Sequence, residues 1–288
     1  MKSKQEKFSV RWSYYAGHGV LIWQLMFTET GYLVGQKRFT PSRRALFFCI
    51  DIMTGDVVRD DYLLMDHVHP VPAGEGWFVG LETTLKNLVY FYTYHFQSPE
   101  HKGVWAVDFR ADRVMWSRSD IVFAANLDHA FLVYQPASFG GFPERHFLLI
   151  DPFTGEDIQS FDLDSSAVNT LRQEVLQEEE RQKVVLPDFV TEKMMEECLA
   201  MERVGIAATA KCECIVQWPL TIAALHEQNE LTGAWHSSLK IWEMDLLVYS
   251  DVMEECVEKP SLNNFLMREE NLYYLKNKEE LVCVSLHE

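Results

Sequence analysis

The sequence has no long apolar run and little positive charge. No stretch reaches the roughly 18 to 20 consecutive apolar residues of a membrane-spanning helix, and the charged start MKSKQEK is not followed by the apolar core of a signal peptide. Lys and Arg number 26 against 43 Asp and Glu, a formal net charge of −17. This field repels phosphate backbones and anionic lipids, so we expect a cytoplasmic protein with no nucleic-acid or membrane partner.

Cysteines are also few, and the common catalytic motifs are missing. Six cysteines scattered over 288 residues lack the dense spacing of a disulfide scaffold, so we expect reduced thiols packed in strands. The sequence contains no GxSxG, HExxH, Walker or GxGxxG motif, which disfavours the commonest chemistries. We therefore predict no cofactor and assign no catalytic residue.

A short strand–turn–strand device is present twice. It reads FFCIDIMTGDVV at 47–58 and HFLLIDPFTGEDI at 146–158. In each copy an apolar strand ends in an aspartate, Asp51 or Asp151, and a glycine follows four residues later. An Asp carboxylate accepts hydrogen bonds from backbone amides two residues on, and glycine adopts the positive φ that such a turn needs. The device therefore predicts a closed hairpin in both places.

The flanks of the device repeat as well, in three successive repeats of four short strands. The predicted strands are 21–27, 32–38, 45–51 and 56–60; 77–82, 88–96, 104–109 and 113–118; and 121–125, 130–135, 146–151 and 156–163. The aspartates that end the third strands, Asp51, Asp108 and Asp151, lie 57 and 43 residues apart. This spacing is close to the roughly 40 to 50 residues of a four-stranded propeller blade. The strands are apolar on both faces, which predicts that both faces are covered.

The pattern changes to that of a helix over residues 165–203. Val168, Leu171 and Val175 recur at helical spacing, and Pro187 interrupts the pattern. We interpret this segment as a helical insertion in a single propeller-like domain that spans residues 1–288.

Strands resume after the insertion. A fourth repeat is predicted from residue 206 to 252, and the C-terminal stretches 264–270, 271–277 and 279–286 supply three strands of a fifth. The N-terminal segment 8–15 is predicted to pair with them and close the ring, which removes exposed sheet edges. The predicted fold is mainly β, a propeller-like ring of four-stranded antiparallel blades. Five blades are favoured over six, which would require strands within the insertion.

The repeats resemble known families. Their apolar runs, Asp, Thr-Gly and following aromatic residue are similar to quinoprotein-type and WD-like propeller repeats, although no repeat has the full consensus. A narrower resemblance covers nearly the whole chain and is to a bacterial family classed as a domain of unknown function. It is carried by the stretches LIWQLMF, FFCIDIMTG, GWFVGLE and SPEHKGVWAVDF. That resemblance implies no activity.

Glu82 is the strongest candidate for a ligand site. It ends the first strand of the second repeat, and first strands line the central channel of a propeller, where a carboxylate can bind a ligand or act as an acid or base. Glycosidases need two carboxylates, however, and the matching strands of the first and third repeats contribute none. An ion pair with Lys37 or Arg38 is the alternative. The residues assigned to ligand binding are Glu82, Arg38, Trp77 and His101.

The loops between second and third strands share a proline and a basic residue. The pairs are Pro41 with Arg44, Pro99 with Lys102, and Pro143 with Arg145. Equivalent loops lie on one face of a propeller, so we expect a locally basic rim that, with Glu100 and His101, recognises an acidic partner or ligand. Turn chemistry and solvation explain the same residues equally simply.

Three other patterns have structural explanations that we favour. His67 and His69 fit half a metal site or an interblade loop, and Cys212 and Cys214 fit half a zinc site or two buried thiols, so no metal site is assigned. The run QEEERQK at 177–183 is typical of a solvated helix face. The Met-rich continuation fits core packing or a docking surface; it contains Met194, Met195 and Met201.

Two functions follow from these observations. The first is a non-catalytic protein-interaction platform, in which the rim loops and the helical insertion contact another protein. The alternative is a small-molecule-binding or hydrolytic protein that uses the channel near Glu82. Fold alone does not separate them, because propellers host both classes.

Overall fold

The protein folds into antiparallel sheets that group into two compact units. The computed structural model describes residues 7–66, 69–95, 97–162, 164–173, 175–190 and 211–287. One unit, here the three-sheet unit, consists of residues 20–182; the other, here the two-sheet unit, consists of residues 1–19 and 183–288. Over the described ranges, no helix has the length and apolar character needed to cross a membrane.

The three-sheet unit contains three up-and-down sheets of four strands each. The chain first forms β1 (Ser9–Tyr15), which belongs to the two-sheet unit. Sheet 1 contains β2 (Val20–Phe27), β3 (Tyr32–Phe39), β4 (Arg44–Asp51) and β5 (Val57–Tyr62). Sheet 2 contains β6 (Val79–Leu85), β7 (Leu88–His95), β8 (Ser98–Asp108) and β9 (Arg113–Arg118), preceded by a short 3-10 helix (Ala73–Gly76). Sheet 3 contains β10 (Val122–Asn126), β11 (Phe131–Phe139), β12 (Phe142–Ile150) and β13 (Asp157–Asp162). The helices α1 (Ser165–Gln173) and α2 (Glu178–Gln182) follow.

The central strand β7 shows why these strands are apolar on both faces. Val89 and Phe91 lie in the core shared by sheets 1 and 2, where the Phe91 ring meets that of Phe47 with centroids 4.6 Å apart. Tyr90 points the other way, into the core shared with sheet 3, and its ring lies 4.6 Å from that of Phe131. Each such buried side chain contributes about 1.5–3 kcal/mol to folding. Alternate residues of one strand therefore join both neighbouring sheets.

The predicted hairpin device is confirmed at atomic detail. The Asp51 carboxylate accepts from the amides of Met53 at 2.9 Å and Thr54 at 3.1 Å. Asp108 and Asp151 accept equivalent pairs of amide hydrogen bonds. A further copy that the repeat analysis missed is NELTG, where the Asn229 amide oxygen accepts from the amides two and three residues on. Asn replaces Asp there because both side chains offer the same acceptor oxygen.

The two-sheet unit contains the C-terminal part of the chain, from residue 183, and β1. Its strands are β14 (Val184–Val185), β15 (Asp188–Phe189), β16 (Lys211–Gln217), β17 (Leu220–Gln228), β18 (Trp235–Glu243), β19 (Leu246–Val257), β20 (Phe265–Arg268), β21 (Asn271–Lys276) and β22 (Glu280–Ser285). Sheet 4 has the order β15-β16-β17-β18-β19, and sheet 5 the order β1-β22-β21-β20-β14. The predicted pairing of the N-terminal segment with the C-terminal strands is confirmed, since β1 runs antiparallel to β22 from Ser9–Ser285 to Tyr15–Glu280.

These sheets confirm the predicted fold class. The chain is mainly β, and four-stranded up-and-down sheets packed face to face are the blades of a β-propeller. The described residues form five sheets. The number of blades and the extent of the single domain stay predictions.

The insertion differs from the helix that its pattern predicts. The helices α1 and α2 are short, and Lys183 has a positive φ of 56°, which ends α2. The chain then adds the two-residue strands β14 and β15 to sheets 5 and 4, because sheet edges offer unpaired backbone groups that outweigh helix propensity here. The predicted helix from 191 to 203, with its three methionines, lies outside the described residues.

Candidate functional site

The first strand of each sheet in the three-sheet unit contains a β-bulge at an equivalent place. The pairing register shifts between Ile22 and Gln24, between Leu81 and Thr83, and between Phe123 and Ala125. The extra residues are therefore Trp23, Glu82 and Ala124. A bulge turns its extra side chain out of the alternating pattern of the strand, and bulges are enriched next to functional sites.

The same three strands converge on α2. The Phe27 amide of β2 donates to Gln182 Oε1 at 2.9 Å. The Thr83 hydroxyl of β6 donates to Glu178 Oε2 at 3.0 Å and accepts from Asn126 Nδ2 of β10 at 3.0 Å. Three strands from three sheets are thus tied to one helical turn, which places their bulges around a common region.

The charge run of α2 is more than a solvated face. Arg181 donates to Glu178 Oε1 at 2.6 Å and to the Thr83 hydroxyl at 2.7 Å, and Gln182 is buried. Glu179 and Glu180 are exposed, as the pattern predicts. The prediction is therefore wrong for half of the run, because the long side chains of Arg181 and Gln182 satisfy buried polar groups of the first strands.

Glu82 pairs with His101. Its Oε2 atom lies 2.8 Å from His101 Nδ1, and the two side chains are 12% and 40% exposed. Burial raises the pKa of Glu82, the hydrogen bond and charge of His101 oppose the rise, and the Glu178 carboxylate adds to it. Two of the four residues assigned to ligand binding are thus in direct contact.

The predicted ion pair between Glu82 and Lys37 or Arg38 is wrong. Lys37 is 2% exposed and reaches the carboxylates of Asp60 at 2.5 Å and Asp61 at 2.8 Å. Arg38 lies on the opposite face of the strand, and among the described residues no ion pair joins it to Glu82, which pairs with His101. The outer strand of sheet 1, β5, therefore neutralises the charge of Lys37, and Glu82 pairs with His101 instead.

Arg38 and Trp77, the other two assigned residues, are also in contact. The Arg38 Cζ atom lies 4.9 Å from the centroid of the Trp77 ring and 5.3 Å from that of the Trp23 ring. Its Nε donates to Gln36 Oε1 at 3.3 Å. A guanidinium between two indole rings is a favourable cation–π arrangement. The bulged Trp23, which is 60% exposed, joins this group without having been predicted.

Tyr92 supports the histidine. Its ring stacks on that of His101 with centroids 3.5 Å apart and planes 8° from parallel. Gly80 makes room, because a Cβ atom there would lie 2.5 Å from Tyr92 Cζ. The signal in the sequence was this glycine inside an apolar strand, which marks close approach of another group.

An open cleft of about 430 Å³ lies between the first strands and the helices. It is lined by Glu82, Phe123, Ala124, Ala125, Asn126, Arg172, Val175, Leu176, Gln177 and Glu178. The sequence analysis found no second carboxylate for Glu82; the structure supplies one, Glu178, from α2. Glu178 is held by Arg181 and Thr83, so Glu82 is the acid of this cleft that is open to a ligand.

The hairpins between second and third strands are longer than predicted. In sheet 3, β10 pairs with β11 only up to Tyr134, and β13 pairs with β12 only from Phe147. Residues 135–146 therefore form a two-stranded ribbon without a neighbouring strand among the described residues; we name it the β-arm. Its tip carries Phe139 and Phe142, which are 75% and 76% exposed.

The base of the β-arm contacts the equivalent hairpin of sheet 2. The Tyr134 hydroxyl donates to Glu100 Oε1 at 2.5 Å, and Arg145 Cζ lies 4.7 Å from the Tyr134 ring centroid. Glu100 adjoins His101, so these contacts link the β-arm to the Glu82–His101 pair. The predicted rim residues Glu100, His101 and Arg145 are thereby brought together.

The two predicted metal alternatives gain no support from the described residues. His67 lies outside the described residues, and the His69 amide donates to Asp66 Oδ1 at 2.8 Å within a turn. Cys212 and Cys214 are buried free thiols in an apolar cluster, as predicted, and burial raises the pKa of Cys212 to about 12. The described ranges contain no group of three or more metal-ligating side chains.

A second His–Glu pair, in the two-sheet unit, was missed by the sequence analysis. His226 Nε2 lies 3.1 Å from Glu213 Oε2, and His226 Nδ1 lies 2.8 Å from Ser237 Oγ. The Glu254 carboxylate accepts from the Ser261 hydroxyl at 2.5 Å and lies 3.4 Å from the Ser237 hydroxyl. These five residues, the buried network, come from four strands and a loop, so no local spacing signals them.

Part of the chain matches a family model. Residues 26–116, less than half of the chain, match the model of a domain of unknown function (DUF4905). The expected resemblance to a domain of unknown function is therefore supported from the end of β2 to within β9. The comparison with curated proteins returned no match.

Solved structures with similar arrangements are remote. The β-propeller domain of the Trilobed protease from Pyrococcus furiosus is 10% identical, with a TM-score of 0.30 over 93% of this chain and 68% of that one. A putative glycosidase from Bacteroides thetaiotaomicron is 10% identical, with a TM-score of 0.33 over 94% and 88%. The chain spans 36% of the Pyrococcus horikoshii acylaminoacyl peptidase, at 10% identity and a TM-score of 0.30 over 89% of this chain. Scores this low carry no argument about activity.

Proposed function

We propose that this protein is a non-catalytic interaction platform that binds another, acidic protein through the β-arm and the adjoining surface of the three-sheet unit. The observation that carries the proposal is the β-arm itself. Two phenylalanines, each about three-quarters exposed, stand at the end of a ribbon that no neighbouring strand supports. Exposed apolar groups of this kind are typical of protein-binding sites.

The three-sheet unit also carries two groups with the composition of an interface hot spot. Trp, Tyr and Arg dominate binding energy at protein interfaces, and Trp23, Arg38 and Trp77 form one contact group of these types. Tyr134 and Arg145 form a second group at the base of the β-arm. Both groups are held by packing before a partner arrives, which lowers the entropic cost of association.

Charge indicates the kind of partner. The three hairpin segments 39–44, 97–102 and 136–145 contain four basic residues, Arg43, Arg44, Lys102 and Arg145, against Glu100 and Glu144. Their sum is +2, whereas the whole chain has −17. A local positive region on an acidic protein steers an acidic partner to that region. As part of the proposal, we place this interaction in the cytoplasm.

The test is affinity capture from the native cell with matched variants. The double variant Phe139→Ser/Phe142→Ser should lose a partner that the wild type retains, with an unchanged circular dichroism spectrum. Trp218→Ser is the control, since Trp218 is 82% exposed but belongs to the two-sheet unit. Equal capture of the partner by the double variant would contradict the proposal. So would a flotation assay in which the wild type binds lipid vesicles and the double variant does not.

A further inference from the structure

We infer that the cleft beside Glu82 binds a small organic cation, an amine or guanidine with a short aliphatic body. This binding site is separate from the partner surface of the β-arm. Its parts are a bulged carboxylate with an open oxygen and an apolar wall, and each selects a different feature of the ligand.

One oxygen of the Glu82 carboxylate is hydrogen-bonded and the other is not. Glu82 Oε2 is paired with His101 Nδ1 at 2.8 Å, and within the described part of the chain Glu82 Oε1 has no hydrogen-bond partner. The side chain is only 12% exposed, yet it lines the cleft. The Oε1 atom is not fully buried, so it is accessible from the cleft and can accept a hydrogen bond from a ligand N–H group. The bulge at Glu82 is what turns this side chain toward the cleft.

The electrostatics of the cleft favour a positive ligand. The two lining glutamates differ, because Glu178 is paired with Arg181 whereas Glu82 contacts only the partly exposed His101, so Glu82 is the acceptor left for a ligand cation. Burial and the neighbouring Glu178 both disfavour ionised Glu82, and a cation in the cleft would offset them by favouring the ionised carboxylate. The formal charge of −17 over the chain also raises the local concentration of cations near a concave acidic site.

The remaining lining fits an aliphatic body. Phe123 of β10, with Val175 and Leu176 between the helices, forms an apolar wall, and Leu176 is 55% exposed. An aromatic ring beside a carboxylate also attracts cations through its π face. The volume of about 430 Å³ is within the range of small-molecule sites. In an alkyl ammonium or alkyl guanidinium, the cationic group would bind the Glu82 carboxylate and the alkyl chain would cover the apolar wall.

The test is isothermal titration calorimetry of the full-length chain with agmatine at physiological salt. We expect saturable binding at one site per chain. Glu82→Gln should weaken it at least ten-fold, while n-butanol and n-butyrate should give no saturable heat. Glu29→Gln is the matched control, because Glu29 is an exposed glutamate that pairs with Lys86 next to the same strand ends and does not line the cleft.

Three results would overturn the inference: no saturable heat with millimolar agmatine, unchanged affinity in Glu82→Gln, or an equal loss in Glu29→Gln, which would indicate nonspecific attraction. Circular dichroism of both variants checks that they fold. The Phe139→Ser/Phe142→Ser variant should bind agmatine as the wild type does. This result separates failure of the cation site from failure of the proposed partner interaction.

Discussion

Two of the His–Glu pairs of this protein have the same side chains in opposite environments. In the three-sheet unit, His101 and Glu82 are 2.8 Å apart and 40% and 12% exposed. In the two-sheet unit, His226 and Glu213 are 3.1 Å apart and 0% and 1% exposed. The difference shows that the pairing itself does not indicate function. What matters is whether any polar atom of the pair is left for a ligand.

The buried network leaves none of its carboxylates without donors. Glu213 accepts from His226 and from the Asn263 amide at 3.0 Å. Glu254 accepts from the Ser261 amide at 2.9 Å and from the Ser261 hydroxyl. Such a fully satisfied network makes a core rigid and specific. We therefore assign the buried network to structure, whereas the Glu82–His101 pair, with its open oxygen, is the one that we propose for binding.

The largest effect is expected from breaking the buried pair. His226→Ala leaves the Glu213 carboxylate buried without its partner and should cost about 3–5 kcal/mol of unfolding free energy. Urea unfolding followed by tryptophan fluorescence measures the loss. Glu227→Ala, at the exposed neighbouring position on β17, is the control and should change the midpoint little. Equal stability of the two variants would refute the structural assignment.

The next largest effect tests the support of the exposed pair. Gly80→Ala places a Cβ atom 2.5 Å from Tyr92 Cζ and should cost about 1–3 kcal/mol by overpacking. The same substitution in a Tyr92→Ala background should cost much less, because the opposing ring is gone. A thermodynamic cycle from four urea curves gives the coupling. Additive costs would show that the glycine has another role.

A pH series tests the raised pKa of Glu82. The folded pKa of Glu82 is raised above its ordinary value of 4.5, so the folded protein binds this proton more tightly than the unfolded chain. Stability contributed by the protonated group is then lost as the pH rises from about 4.5 through the raised pKa. Glu82→Gln should remove this decline, measured as the difference in unfolding free energy from wild type between pH 4.5 and 8. A parallel pH profile would contradict the direction of the shift.

The smallest effect is expected from His101→Ala. Because this histidine is 40% exposed, water compensates for much of the lost contact, and the cost should be at most about 1 kcal/mol. Comparison with His226→Ala under the same urea conditions sharpens the contrast between the pairs. Similar losses in both variants would mean that exposure does not separate their roles.

Much of the fold was predictable because it depends on local pattern. The strands around Phe47 and Phe91 were found from apolar runs, and the Asp51 turn from a side chain that bonds its own backbone. The four residues assigned to ligand binding form two contacting pairs, His101 with Glu82 and Trp77 with Arg38, which the sequence analysis did not assign.

The sequence by itself determined the four-stranded repeats, the hairpin turns and the pairing of β1 with the C-terminal strands, because hydrophobic periodicity and turn chemistry act over a few residues. Only the tertiary structure decided which carboxylate faces a cleft. The bulge at Glu82, its pairing with His101 and the approach of Glu178 depend on register shifts and on contacts across up to 96 positions of the chain. Burial and charge at such a place are set by neighbours that are distant in sequence, so no local pattern encodes them.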